Sequence, residues 1–135
     1  MNIKYRIDKS EIQQSGYYAT YGKLIIGDKS WDIISGLWGR GTIPLGLYRV
    51  FSPRELFDVK ANQSYKGELK PWLSALIPMG KCEDAKGNRT ELCIHPDGGI
   101  KGTLGCMGIQ ANDMECYSIL LKASQANEKI ILEVV

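Results

Sequence analysis

The sequence predicts one β-rich α+β domain over residues 1–135, a mixed sheet or sandwich carrying one or two short helices. Three observations lead there. Fifteen of the 135 residues are glycine, about one in nine against an average near 7%, and seven Tyr and three Trp accompany them. Such a mix favours strands joined by tight turns over a helical bundle. Several stretches alternate apolar and polar residues at period two. Only one segment, near the C-terminus, has apolar residues at helical spacing. At this length one core forms without disulfide or metal staples.

The elements follow in order. Ile3, Tyr5 and Ile7 alternate with Lys4 and Arg6, which predicts a strand over Ile3–Ile7. A second runs from about Tyr17 to Ile26, with Gly22 as a bend. The Gly27-Asp28 pair is a two-residue hairpin turn into Ser30–Ser35. Residues Gly36 to Gly46 hold four glycines and Pro44, too many breakers for regular structure, and read as an exposed loop. No Gly-Lys-Ser/Thr ending follows, so this is not a phosphate cradle. Leu47–Phe51 is a strand. Within 53–80, Pro71 and Pro78 bracket Trp72–Ile77, read as a short helix. Thr90–His95 is a strand rising into a second glycine-rich loop that ends at Cys106. Asn112, three residues before Glu115, resembles a capping box. Met114, Tyr117, Leu120 and Leu121 then share a face, predicting a helix over Asp113–Ser124 that stops near Asn127. The β-branched run Ile130–Val135 closes the chain as a strand.

Composition excludes several function classes. Seventeen basic and fifteen acidic side chains give a net charge of +2. Residues 1–67 carry ten Lys/Arg against six Asp/Glu, and residues 68–135 seven against nine, with no basic run. A nucleic-acid partner is not indicated. No apolar stretch approaches the roughly 20 residues of a membrane span, and the N-terminus lacks an apolar signal region. The expectation is a monomer synthesised in the cytoplasm, with its cysteines reduced.

The chemistry centres on the one histidine, His95, and on Cys106. A cysteine peptidase needs a thiolate, an imidazole to sustain it, and backbone N–H groups aimed at the oxyanion. The segment from His95 to Cys106 offers a rigid strand end for the histidine and a glycine-rich return for the cysteine. Gly105 lets a substrate carbonyl approach the peptide N–H groups around Cys106. Asp97 either fixes the imidazole tautomer or forms a turn, and Thr103 either bonds within the loop or holds the histidine. Cys93, two residues before His95, shares its strand face and serves either the site or the core. Cys82 and Cys116 read as structural. Tyr48, Trp38, Trp72, Arg49 and Arg89 are candidates to line a groove for an anionic peptide, Arg being suited to carboxylates, with core packing and surface charge as the alternatives. A zinc site from Cys93, His95, Cys106 and Cys116 is a further alternative. The spacing, without any Cys-x-x-Cys knuckle, argues against it.

The run from His95 to Thr103-Leu104-Gly105-Cys106 resembles the signature of the L,D-transpeptidase superfamily, a histidine leading to Ser/Thr-x-Gly-Cys. Leu24-Ile-Ile, Ser35-Gly36 and Ile43-Pro-Leu-Gly-Leu-Tyr-Arg-Val50 resemble the family's early strands, its Ser-Gly step and its Pro-x-Gly-x-Tyr strand, and the helix-then-strand ending follows the same order. About 110 residues are covered, the match in 53–80 being weak. The resemblance implies a mostly β fold and a cysteine nucleophile acting on peptidoglycan stem peptides, with no metal or organic cofactor. By it, Cys106 attacks a diaminopimelate–D-alanine type of bond and His95 protonates the leaving amine. The acyl-enzyme then passes to water or to another amine. Where the family has Arg two residues after the cysteine, Gly108 stands here. The loop is also short, resembling compact forms found in phage lysins and antibacterial effectors, which reach the wall by release or delivery. A hydrolase of that kind is the reading, with a D-amino-acid-exchanging transpeptidase, or a non-catalytic wall-binding or virion module, as its rivals.

Overall fold

Nine strands and one helix are present among the residues that the computed structural model describes, which are 1–12, 18–36, 42–57, 67–80, 92–97 and 106–135. The strands are β1 (Asn2–Ile12), β2 (Tyr18–Ile26), β3 (Lys29–Gly36), β4 (Gly46–Val50), β5 (Arg54–Glu55), β6 (Trp72–Pro78), β7 (Leu92–Pro96), β8 (Met107–Ile109) and β9 (Ile130–Val134). The helix, α1, is Asp113–Gln125. The class is β-rich α+β, as expected. The sheet closes on itself, however, so the architecture is a barrel and not a sandwich.

Closure follows from the pairing. The order β4-β9-β1-β2-β3-β8-β7-β6 returns to β4 through an antiparallel β4–β6 ladder, joining eight strands in a ring. The sheet is mixed: β1 runs parallel to β9 and β7 parallel to β8, and the other ladders are antiparallel. β5 continues the line of β4 along the same edge of β6, bridged by Phe51 N–H donating to Ala75 O at 3.0 Å. The first and last strands lie side by side, with Asn2 opposite Ile131 and Tyr5 opposite Val134.

Alternation places the core. Ile3 and Tyr5 of β1, Leu24 and Ile26 of β2, Tyr48 and Val50 of β4, Trp72 and Leu76 of β6, and Ile130, Leu132 and Val134 of β9 are all buried in one cluster. Cys116, Tyr117, Leu120 and Ala123 of α1 join that cluster. Trp72 meets Tyr117 edge-on, ring centroids 5.3 Å apart, a favourable aromatic geometry. A closed barrel has to bend its strands, and β1 does so through a bulge between Ile7 and Lys9. Gly22 faces this bulge: a Cβ there would lie 1.9 Å from Arg6 O. The expected bend at Gly22 is thus a point of close backbone approach.

Two local expectations are overturned. Trp72–Ile77 is the strand β6, not a helix. Trp72, Ser74 and Leu76 point inward while Leu73, Ala75 and Ile77 are less buried, a period-two pattern that so short an apolar run does not separate from a helix turn. Asn112 does cap α1, but with left-handed backbone (φ 58°, ψ 37°) and no side-chain hydrogen bond to the helix, so there is no capping box. Its carbonyl accepts from Trp31 Nε1 at 3.0 Å. The helix stops where expected. Asn127 takes φ 57°, its N–H donating to Ser124 O at 3.0 Å and that of Glu128 to Ala123 O at 2.9 Å, the pairing of a Schellman ending.

Candidate active site

β7 is buried along its whole length, as is β8 on one side of it, whereas β6 on the other side alternates. Leu92 and Ile94 point into the barrel cluster, so Cys93 and His95 occupy the opposite face. β8 lies parallel to it in the register Ile94 to Met107, His95 to Gly108 and Pro96 to Ile109. Residues opposite one another in a sheet share a face, so Cys106, one step before Met107, comes beside Cys93. The sulfurs are 3.2 Å apart, Cys93 Sγ–H donating to Cys106 Sγ. Cys93, His95 and Cys106 are 5%, 4% and 8% exposed, so the group is nearly closed to solvent.

The imidazole is held by the backbone. His95 Nδ1 lies 2.6 Å from Pro96 O. A carbonyl oxygen only accepts, so Nδ1 carries a proton and Nε2 is the nitrogen left for proton exchange. The ligand atoms of Cys93, His95 and Cys106 all lie within 4.8 Å of one another. Asp97 sits at the end of β7, its N–H donating to Ile109 O at 2.9 Å and its Oδ2 accepting from Gln110 Nε2 at 3.0 Å. Gln110 Nε2 also reaches Gly108 O at 3.0 Å. Asp97 thereby ties β7 to the residue following β8.

The two thiols differ in acidity because of this geometry. The hydrogen bond from Cys93 is the largest influence on Cys106 and lowers its pKa. Burial opposes this, and His95 lowers it further by hydrogen bond and charge. Cys93 moves the other way: it gives its proton to the bond with Cys106, is buried, and would gain its charge beside a thiolate. Cys106 is therefore the more acidic thiol of the pair, and the shared proton is drawn toward Cys93. Arg54 of β5 acts on Cys93 in the opposite sense, as the one cation among its influences.

The sequence-predicted residues separate into three groups. His95 and Cys106 are brought together, with Cys93 in direct contact and Asp97 bracing the strand ends. Tyr48 and Trp72 belong to the core instead of a groove. Tyr48 is wholly buried and donates its hydroxyl to Pro44 O at 2.7 Å, so its ring presents no surface to a ligand. Trp72 is equally buried and bonded to Asp113, and the Arg49 guanidinium lies over the Phe51 ring at 5.5 Å. Thr103, Gly105, Arg89, Trp38 and Cys82 lie outside the described residues. Arg54 was not foreseen. Nothing in an isolated Pro53-Arg54-Glu55 marks it, since its nearness to Cys93 depends on how β5 and β7 flank β6.

Two soft sulfurs and an imidazole nitrogen make a donor set that suits zinc or another thiophilic cation. Cys116, the fourth member of that alternative, is not in the group: it is fully buried in the barrel cluster on α1. Its thiol is pushed up by burial and by the charges of Asp113 and Glu115. Among the described residues no helix is long and apolar enough to cross a membrane. Compared with protein-family models, curated proteins and solved structures, the chain matches none of them.

Proposed function

We propose that the chain is a cysteine peptidase of the L,D-transpeptidase type, hydrolysing stem-peptide bonds of peptidoglycan in the manner of a compact phage lysin or antibacterial effector. The observation that carries the reading is the juxtaposition of His95 and Cys106 on one face of two parallel strands, with the thiol acidified by its neighbours. The run to Thr103-Leu-Gly-Cys106 supports it by resemblance, and that resemblance alone supplies the substrate and an L,D-transpeptidase-like fold.

In this mechanism the Cys106 proton passes to Nε2 of His95, and the thiolate attacks the carbonyl carbon of a diaminopimelate–D-alanine type of bond. The carbonyl π pair moves to oxygen, and N–H groups near Cys106 are the natural donors to it. The C–N bond breaks as the tetrahedral species collapses to a thioester. The leaving amine takes a proton from His95, whose Nδ1–H stays on Pro96 O while Nε2 handles the transferred proton. Water, losing its proton to Nε2, then attacks the thioester and releases Cys106. Gly108 opposite His95 leaves no side chain to grip the substrate carboxylate from that position, and Arg54, whose charge acts on Cys93, serves in its stead.

The test is incubation of the protein and of Cys106→Ala with purified diaminopimelate-type peptidoglycan, followed by mass spectrometry of the released muropeptides. Loss of terminal D-alanine or cut crosslinks, absent with the variant, is the expected result. Exchanged D-amino acids would make the chain a transferase. An unchanged wall that still carries both proteins down on sedimentation would replace the catalytic reading with a binding module.

A further inference from the structure

Cys93 has no part in the peptidase steps, yet it is a second buried thiol aimed at the first. Three features make the pair suited to bonding. Neighbouring strands lie about 4.7–4.9 Å apart, within the Cα separation that disulfides span. The register that sets Ile94 opposite Met107 puts Cys93 and Cys106 opposite each other on one face. Their sulfurs are already at 3.2 Å, so small side-chain rotations suffice to bring them to bonding distance. None of Cys93, Cys106 and Cys116 is in a disulfide in this reduced form.

We propose that Cys93 is the resolving thiol for Cys106: a small hydroperoxide oxidises Cys106, and Cys93 closes the product into a reversible Cys93–Cys106 disulfide. In the first step the Cys106 sulfur attacks one peroxide oxygen, the O–O bond breaks, and the departing hydroxide leaves as water after taking a proton. Sulfur is oxidised by two electrons to the sulfenic acid and the peroxide is reduced. In the second, Cys93 sulfur attacks the sulfenic sulfur, the S–O bond breaks, and the Cys93 proton leaves with the hydroxide as water. The order is self-timed. While Cys106 is a thiolate its charge holds the proton on Cys93, and once Cys106 is an uncharged sulfenic acid that hold is gone. The linked form has no nucleophile, so oxidation silences the site and a dithiol restores it. That consequence rests on the peptidase reading; the bond itself does not.

The experiment treats the reduced protein with a few equivalents of hydrogen peroxide and reads intact mass, thiol count and a tryptic map. The expected product has lost two hydrogens and two thiols. It joins the peptide 90–101, which holds Cys93, to 102–122, with fragmentation placing the link on Cys106 and not on Cys116. Dithiothreitol returns the starting mass. Cys93→Ser, under the same treatment, gains two oxygens at Cys106 as a sulfinic acid that dithiothreitol does not reverse. A wild-type protein that accumulates the sulfinic acid with Cys93 still a thiol overturns the proposal, as does a link to Cys82 or Cys116. A disulfide that forms in a protein with no action on the wall, before or after reduction, leaves this inference standing and removes the peptidase reading.

Discussion

Trp72 Nε1 donates to Asp113 Oδ2 at 2.9 Å, joining the barrel wall to the first residue of α1. The other carboxylate oxygen accepts from the backbone N–H of Glu68 at 2.9 Å. Asp113 is 3% exposed, and its charge also sits at the helix N-terminus, where it complements the helix dipole. Asp113→Ala orphans the buried Trp72 indole N–H and removes the acceptor of the part-buried Glu68 N–H. The expected loss is about 3 kcal/mol of unfolding free energy, read by urea titration. Asp113→Asn keeps one acceptor oxygen and loses less. Equal stability of Asp113→Ala and wild type would show that the junction contributes nothing.

Gly22 offers a second test, because its environment opposes ordinary strand preference. Valine is among the best strand formers, yet at this position a Cβ lands 1.9 Å from Arg6 O, and that atom is backbone in the bulged strand. Gly22→Val is expected to destabilise the barrel by about 3 kcal/mol. Ile25→Val, on the same strand and half-exposed, is the neutral control. Thermal unfolding followed by circular dichroism separates the two, and indistinguishable melting temperatures would refute the close-approach account.

How much of this was legible in the sequence depends on which strands have a wet face. β1, β2 and β9 alternate because one side faces the barrel interior and the other faces water, and each was readable from Ile3, Tyr5, Leu24, Ile26 and Ile130. β8 is three residues long and buried on both faces, so Met107-Gly-Ile109 shows no alternation to read. β6 is hidden because Trp72–Ile77, between two prolines, is too short for its period to be told from that of a helix turn. The pairing of His95 with Cys106 was legible from their types and the glycines between them. The contact of Cys93 with Cys106 was not, since it needs β7 and β8 to be parallel and in one particular register. Closure into a barrel was hidden for the same reason: it rests on the β4–β6 ladder between Tyr48 and Pro78, a pairing of distant segments.

Tyr5 supplies a prediction with a change of sign. Its hydroxyl is buried and shares a hydrogen bond with Thr20 Oγ1 at 3.0 Å. Burial is the largest influence and pushes its pKa from 10.0 up to about 12, with Thr20 acting in the opposite direction. A raised folded pKa means that the folded chain keeps its proton longer than the unfolded one. The associated stability is complete below about pH 10 and is lost as the pH climbs toward 12. Two pK units correspond to about 3 kcal/mol. At pH 8, Tyr5→Phe is therefore less stable than wild type by about 1 kcal/mol, the worth of the lost hydrogen bond. Above pH 11 the order reverses, because phenylalanine has no proton to lose. Urea unfolding at pH 8, 10 and 11.5 measures both arms, and parallel curves would contradict the assignment.

The acidity of Cys106 is testable without any substrate. Only a thiolate reacts with iodoacetamide, so the rate at Cys106 against pH traces its ionisation. A free thiol, with pKa near 8.5, loses most of its reactivity between pH 8 and pH 6. Cys106, whose pKa is lowered by Cys93 and His95, is expected to retain its rate through that window and to lose it only further into acid. Both neighbours favour the anion, so removing either moves the profile toward alkali. Cys93→Ala moves it most, its hydrogen bond being the largest influence, and His95→Ala moves it less. The readout is the rate of mass increase at the peptide holding Cys106. Since access to a nearly closed site scales the rate equally at every pH, the midpoint and not the height is the quantity compared. A wild-type midpoint near that of a free thiol, or a Cys93→Ala profile that does not shift, would show that the neighbouring sulfur does not hold Cys106 in its charged form.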